Sequence, residues 1–259
     1  MPDEDRQLWT AAWQARDDLY KTLFGEYTSV SPADYQLPDS LPTIPRPVID
    51  EGGSGDPGVP DDTLTVIAYG PDPLRPYWTY ITAGLSSPWY QEEPQEVSGF
   101  GCELMIKCPL EATWPAQILR SMALYIFNYT GTFSPGSLIA LDSSIFPEAD
   151  SQLKNIFVWY ADEAPDCWYQ LPAGGFGIFA AVGITDDELK FAESVENYGA
   201  WCIQEVLRRA DIGQLTDPAR QSVMKRPDIQ AIIGSVKTFA QNFQEFGGCS
   251  PDLEVTDTS

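Results

Sequence analysis

Residues 98–108, "SGFGCELMIKC", alternate at period two, with Phe100, Cys102, Leu104, Ile106 and Cys108 on one side and Gly101, Glu103, Met105 and Lys107 on the other. That spacing predicts a half-buried strand whose first set of side chains faces a core. Similar β-type runs at 63–69, 77–85, 137–141, 153–160 and 175–184 predict five further strands. Helical spacing governs the first 25 residues, where Trp9, Trp13, Tyr20 and Leu23 form one stripe, Asp17, Asp18 and Lys21 fall elsewhere, and Gly25 is a stop. A second helix starts at Thr113, a cap, with Pro115 in its first turn, and buries Ile118, Leu119, Met122, Tyr125 and Ile126. "TDDE", 185–188, is a capping box that opens a third helix, whose inner face runs through Leu189, Ala192, Gly199, Ile203 and Val206 to Arg208 and Arg209. A last helix is predicted from Pro227 to Phe246, with Ile229, Ile232, Ile233, Val236, Phe239 and Phe243 at helical spacing and a fraying tail beyond.

Strands and helices are thus mixed without regular βαβ alternation or an internal repeat. The predicted fold class is α+β, a mostly antiparallel or mixed β-sheet with helices packed on it. Between residues 31 and 60, seven prolines and four glycines interrupt any periodicity. The chain is therefore divided into an N-terminal helix (1–25), a Pro/Gly-rich linker or surface wrap (26–61), the main β-rich domain (62–224) and a C-terminal helix with its tail (225–259).

Charge narrows the choice of partner. The 259 residues carry 38 acidic and 15 basic side chains, a net charge of −23. Such a surface repels nucleic-acid phosphate and anionic lipid and attracts basic proteins over a Debye length of roughly 8 Å. Solubility alone, or a salt-rich host, would account for the charge equally well. No apolar run approaches the roughly 18 residues needed to cross a bilayer. The N-terminus, "MPDEDRQLWT", is acidic where a secretory signal would be basic and then apolar, and five irregularly spaced cysteines read as reduced thiols. A cytoplasmic location is expected.

The chain contains no histidine. That excludes Ser-His-Asp and Cys-His nucleophile systems and histidine-ligated zinc or iron. Cysteines at 102, 108, 167, 202 and 249 include no C-x-x-C pair, so no metal is expected. Cys102 and Cys108 share a strand face about 20 Å apart, beyond the roughly 7 Å that a disulfide spans, and read as small core side chains. Neither "GFG", at 99–101 or 175–177, continues as a phosphate-binding loop, and both are followed by β-type sequence. Two carboxylate clusters, Asp162, Glu163 and Asp166 and also Glu92, Glu93 and Glu96, could supply an acid and a base for hydrolysis. A solvated acidic loop accounts for both, and in so acidic a chain that account is preferred.

Taken in order, "SGFGCELMIKC", "TWPAQILRSMALYIF" and "TFSPGSLIALDSSI" resemble the central block of the Suppressor of fused (SUFU) domain, with its S-G-F-G-x-E-L strand, T-W-P-A helix start and P-G strand entry. "GPDPL" (70–74), "YWTYITAGLS" (77–86), "GGFGIFAAVGIT" (174–185) and "DELKFAES" (187–194) agree in order, so the resemblance covers about residues 62–224. Two departures matter. Tyr77-Trp78-Thr79-Tyr80 stands where the family commonly has H-W-H-Y, and the chain ends without the second domain of animal members, so their Hedgehog-pathway role is not carried over. The resemblance implies a binding module without catalysis or cofactor. Bacterial relatives are associated with polymorphic toxin systems, where they look like immunity proteins, and an acidic inhibitor suits a basic toxin domain such as a nuclease.

The expected contact surface is the loop "SSPWYQEEPQE", 86–96, with Trp89 and Tyr90 as aromatic anchors and Glu92, Glu93 and Glu96 as an acidic rim. The competing account of Trp89 is that it tucks onto its own sheet. Two other functions remain open: a carboxylate-based hydrolase, and capture of a peptide strand along an exposed edge such as 137–141.

Overall fold

A computed structural model describes residues 3–31, 64–89, 91–129, 131–141, 143–146 and 151–245. Most of the predicted wrap, Phe246 and the predicted fraying tail lie outside these residues. Eight strands form one sheet: β1 (Ser29–Ser31), β2 (Thr65–Tyr69), β3 (Trp78–Ala83), β4 (Val97–Cys108), β5 (Leu138–Ala140), β6 (Leu153–Tyr160), β7 (Tyr169–Leu171) and β8 (Gly174–Thr185). Their order is β1-β2-β3-β4-β8-β6-β5, with β7 also paired to β8. Every pairing is antiparallel except the central one, where β4 and β8 run parallel and Leu104 faces Phe179. The α+β class and mixed sheet expected from the sequence are what the structure has.

Helices cover both faces. On one, α2 (Trp114–Tyr129) lays Ile118, Leu119, Met122 and Ile126 over Cys102, Leu104 and Ile106 of β4. On the other, α1 (Asp3–Phe24), α3 (Asp186–Glu193), α4 (Gly199–Arg209) and α5 (Pro227–Glu245) pack around Ile81, Met105, Phe157, Ile178 and Val182. This two-sided cover corrects the reading of β4 as half-buried. Met105 and Glu103 are fully buried and Lys107 nearly so, because the side of the strand taken as outer faces a second helical layer. Cys102 and Cys108 are buried on the α2 side as unpaired thiols, as the alternation required.

The predicted third helix is two helices. Ser194 ends α3 by donating its hydroxyl to the Phe191 carbonyl, and Asn197 takes a left-handed conformation (φ 60°). The chain then doubles back so closely that a Cβ on Gly199 would stand 1.9 Å from the Ala192 carbonyl oxygen. Apolar period continues across the break because both helices bury the same side. At the start of α3 the Glu188 carboxylate reaches back to the Thr185 N–H at 2.9 Å, the reciprocal half of the predicted capping box. Glu188 is wholly buried and also takes a two-pronged contact from Arg220, at 2.7 Å on each oxygen. Two predicted stripes are shifted. In α1 the buried side chains are Ala12, Arg16, Tyr20 and Phe24, with Trp13 37% exposed, and in α5 Phe239 is 52% exposed beside Ile229, Val236 and Ala240, which are buried.

Candidate functional site

The loop between β3 and β4 rests on a buried carboxylate. Glu103 Oε1 accepts from the Gly84 N–H (3.0 Å), the Ser86 N–H (2.9 Å) and the Ser86 hydroxyl (2.6 Å), and Oε2 accepts from the Thr82 hydroxyl (2.5 Å). Arg16 of α1 supplies the countercharge, its Nη1 lying 3.9 Å from Glu103 and donating to the Ser87 hydroxyl at 3.4 Å. Trp13 Nε1 donates to the same hydroxyl at 2.9 Å. The helix and the root of the loop are therefore tied through one buried charge.

Further out, Gln91 is buried and clamps the loop to the start of β4 and to the turn between β7 and β8. Its Nε2 donates to the carbonyls of Val97 (3.3 Å) and Ala173 (3.1 Å), and its Oε1 accepts the Gly99 N–H at 2.7 Å. Glu92, Glu93 and Glu96 stand exposed on this braced tip, where the sequence put the acidic rim. Trp89 is not a free-standing anchor. It is half-buried, donates Nε1 to the Gly84 carbonyl at 2.7 Å, and meets Trp9 and Phe127 edge-on at 5.0 Å each. Its indole is held by α1 and α2. Tyr90 lies outside the described residues.

The second carboxylate cluster is divided. Glu163 accepts from Lys107 Nζ at 2.8 and 3.0 Å and from the Tyr77 hydroxyl, while Nζ stands over the Tyr77 ring at 5.4 Å. Asp162 is 3.6 Å from the same ammonium, and partial burial lifts its carboxyl above the ordinary range, partly offset by Lys107. Burial, reinforced by Glu163, also pushes the Tyr77 phenol up. Asp166 is exposed. Glu163 thus serves a buried ion pair, and this loop does not set two free carboxylates across a cleft. A groove of about 480 Å³ lies between α1 and the β1–β2 edge, lined by Gln14, Asp17, Lys21, Tyr27, Val30 and Ile67 among others. None of the predicted site residues lines it.

The other sequence-predicted surface, 137–141, is an edge. Ser137 and Leu141 bond to β6 through the Val158 N–H and the Lys154 carbonyl, so Leu138 and Ala140 turn their N–H and C=O groups away from the sheet. No strand covers that side among the described residues. Sequence reasoning missed Arg16, Glu103 and Gln91 as organisers of the loop. The available signal was a Glu within a strand whose parallel neighbour, 175–184, is apolar at consecutive positions, the mark of burial on both faces.

These features define an α+β protein built on one mixed sheet covered by helices on both faces, with its buried charges consumed internally and the β5 edge and an acidic loop left open. The family model for Suppressor of fused protein (SUFU) matches residues 60–221, and the chain belongs to that family. The Suppressor of fused homologs of Homo sapiens and Mus musculus are each 28% identical over 149 residues, which is 52% of this chain. The chain spans 29% of the length of these curated relatives. Among solved structures, one of a Sufu–Fu complex aligns with a TM-score of 0.61 at 20% identity, over 85% of this chain and 96% of the other. Drosophila Suppressor of Fused aligns at 0.55 and 22% identity over 71% and 47%. A SUFU homolog from Neisseria gonorrhoeae aligns at 0.55 and 15% identity over 82% and 97%. At these identities the structures speak to the fold.

Proposed function

We propose that the chain is a protein-binding module that captures an extended segment of a basic protein partner, without chemistry of its own. The observation that carries this reading is the uncovered edge of β5, where the outward N–H and C=O groups of Leu138 and Ala140 can pair with an incoming strand. A relative solved as a Sufu–Fu complex supports the class of function. The net charge of −23 supplies attraction for a basic partner, and the exposed Glu92, Glu93 and Glu96 lie on a braced loop suited to meet it. Neutralisation of a basic toxin domain is one role of this form. The unpaired Cys102, Cys108, Cys167 and Cys202 fit a reducing, cytoplasmic setting.

Substituting Ala140→Pro tests the edge. The Ala140 N–H points away from β6 and its side chain is exposed, so proline removes a donor offered to a partner while sparing the native ladder. Peptides recovered by display on the full chain are expected to lose binding to A140P at unchanged melting temperature. Recovered peptides that bind A140P as tightly as the parent would refute capture at this edge.

A further inference from the structure

The two "GFG" triplets, unsuited to phosphate, lie side by side in the parallel β4–β8 pair, where Cys102 faces Gly177. Trp168, from the loop before β7, lies across them. A Cβ on Gly175 would stand 1.8 Å from its Nε1, 2.5 Å from Cε2 and 2.9 Å from Cδ1, and one on Gly101 would stand 3.6 Å from Cη2. The indole therefore packs against the backbone of two strands, its Nε1 edge in the space that a side chain at 175 would take, and it remains 48% exposed. Apolar neighbours extend the surface. Val97, 39% exposed, has Cγ1 only 2.7 Å from where a Gly101 Cβ would be. Beyond the indole, the Phe179 ring covers Gly177, and Tyr160, 41% exposed, meets that ring edge-on at 5.9 Å. Trp89, one of the two aromatics singled out from the sequence, is held inward, and Trp168 is the more exposed indole.

The segments that build this platform carry charge of one sign. Residues 86–106 and 155–189, which build it, contain no Lys or Arg. Glu96 sits beside Val97, its carbonyl accepting the Gly175 N–H at 2.9 Å, and Asp166 lies two residues before Trp168, both with exposed side chains. Glu92 and Glu93 add to the field from the loop tip. We propose that this platform receives an arginine-bearing segment of a protein partner, the guanidinium stacked on the exposed part of the Trp168 indole between Val97 and Tyr160, with Glu96 and Asp166 balancing its charge. Arginine suits the site better than lysine because its planar, weakly hydrated head stacks on an aromatic face and pairs with carboxylates at its edge. The inference rests on the protein-binding reading and adds a second contact, at the opposite end of β8 from the strand registers that carry β5.

Fluorescence anisotropy of the full chain with a labelled peptide alternating arginine and glycine tests it, beside lysine–glycine and citrulline–glycine peptides, at physiological salt. The arginine peptide is expected to bind tightest and the citrulline peptide not to bind. Trp168→Leu, which leaves the net charge intact, should weaken the arginine peptide about tenfold and bring it level with lysine. Gly175→Ala, which drives the indole off its floor, should do the same. Glu96→Gln with Asp166→Asn should weaken both cationic peptides. In the parent protein, the Trp168 indole N–H resonance, assigned by its loss in W168L, should move on titration. An arginine peptide that does not bind, that binds W168L within twofold of the parent, or that leaves the indole resonance in place overturns the inference. Loss of binding in A140P with W168L unaffected also overturns it, while leaving capture at β5 standing.

Discussion

Replacing Glu103 by glutamine removes one charge from the centre of the fold at almost constant volume, and the contacts set the cost. With the amide oxygen placed at Oε1, the donors from Gly84 N–H, Ser86 N–H and the Ser86 hydroxyl keep a partner, but each loses its charged acceptor. A hydrogen bond to a charged group contributes roughly 1 kcal/mol more than a neutral one, so these three cost about 3 kcal/mol. The amide NH2 then faces the Thr82 hydroxyl, whose oxygen already accepts the Leu104 N–H at 2.9 Å, and the hydroxyl proton is orphaned. Arg16, 6% exposed, meanwhile loses its buried countercharge. For a chain of this size a loss of about 3 kcal/mol lowers Tm by roughly 6–12 °C. Urea or thermal unfolding followed by circular dichroism measures it, and hydrogen exchange should show the Gly84 and Ser86 amides opening faster than those of β8. A second variant, Arg16→Met, gives the coupling: if Arg16 and Glu103 act as a pair, the double variant costs less than the two singles together. An E103Q protein within about 0.5 kcal/mol of the parent would refute the claim that this carboxylate holds the loop, since a surface substitution costs no more than that.

Alkylation provides a second check on the core. Burial pushes the Cys108 thiol up to about 12 and Cys202 up to about 11, and raises Cys102 as well, whereas Cys167 is exposed. Iodoacetamide on the native protein should therefore modify Cys167 and spare Cys102, Cys108 and Cys202 until urea is added, and peptide mapping that finds Cys108 labelled at the Cys167 rate would refute its burial. A third concerns pH. Hydrogen bonds from Arg208 and then Arg209 hold the Glu205 carboxyl below its ordinary 4.5. A depressed carboxyl contributes stability above that ordinary value and loses it as pH falls through the folded value. Glu205→Gln should therefore be less stable than the parent at neutral pH, by about 1 kcal/mol or less, with the gap closing in acid. A gap that is unchanged on acidification would refute the assignment.

Strands were legible where the chain has enough residues to show a period. Six of the eight coincide with predicted runs to within two residues at each end, while β1 and β7, three residues each, lie outside every predicted run. The face that a strand residue adopts was legible; what covers that face was not. Alternation placed Glu103 and Lys107 opposite Cys102 and Leu104, correctly, but nothing local to 98–108 announces that α1 and the 161–166 loop lie over them. The same limit explains the two tryptophans. Trp89 and Trp168 both sit in acidic loops, and which is held inward depends on Trp9 and Phe127, distant in sequence. The glycines under Trp168 were visible as a repeated "GFG", but their purpose depends on two strands separated by some seventy residues becoming parallel neighbours. Capping chemistry at Thr185–Glu188 was legible because its partners lie three residues apart, whereas Arg220, which completes that site, was not.

The buried charges bear on the surface as well. Among the described residues, Arg16, Arg75, Lys107 and Arg220 are buried, against only Glu103 and Glu188 on the acidic side. The interior set is therefore net positive, and the rest of the chain is more negative than the overall −23. Buried pairs of this kind tend to fix one arrangement of elements and contribute little net stability, because desolvation offsets most of the attraction. Arg16 ties α1 to the root of the 84–96 loop, Lys107 ties β4 to the 161–166 loop, and Arg220 ties the segment after α4 to the start of α3. The first two hold the two loops that carry Glu92, Glu93, Glu96 and Asp166. The cations thus position these carboxylates from inside without neutralising them outside. For a partner of opposite sign the consequence is an association rate that falls with added salt, while the dissociation rate answers to the apolar and backbone contacts.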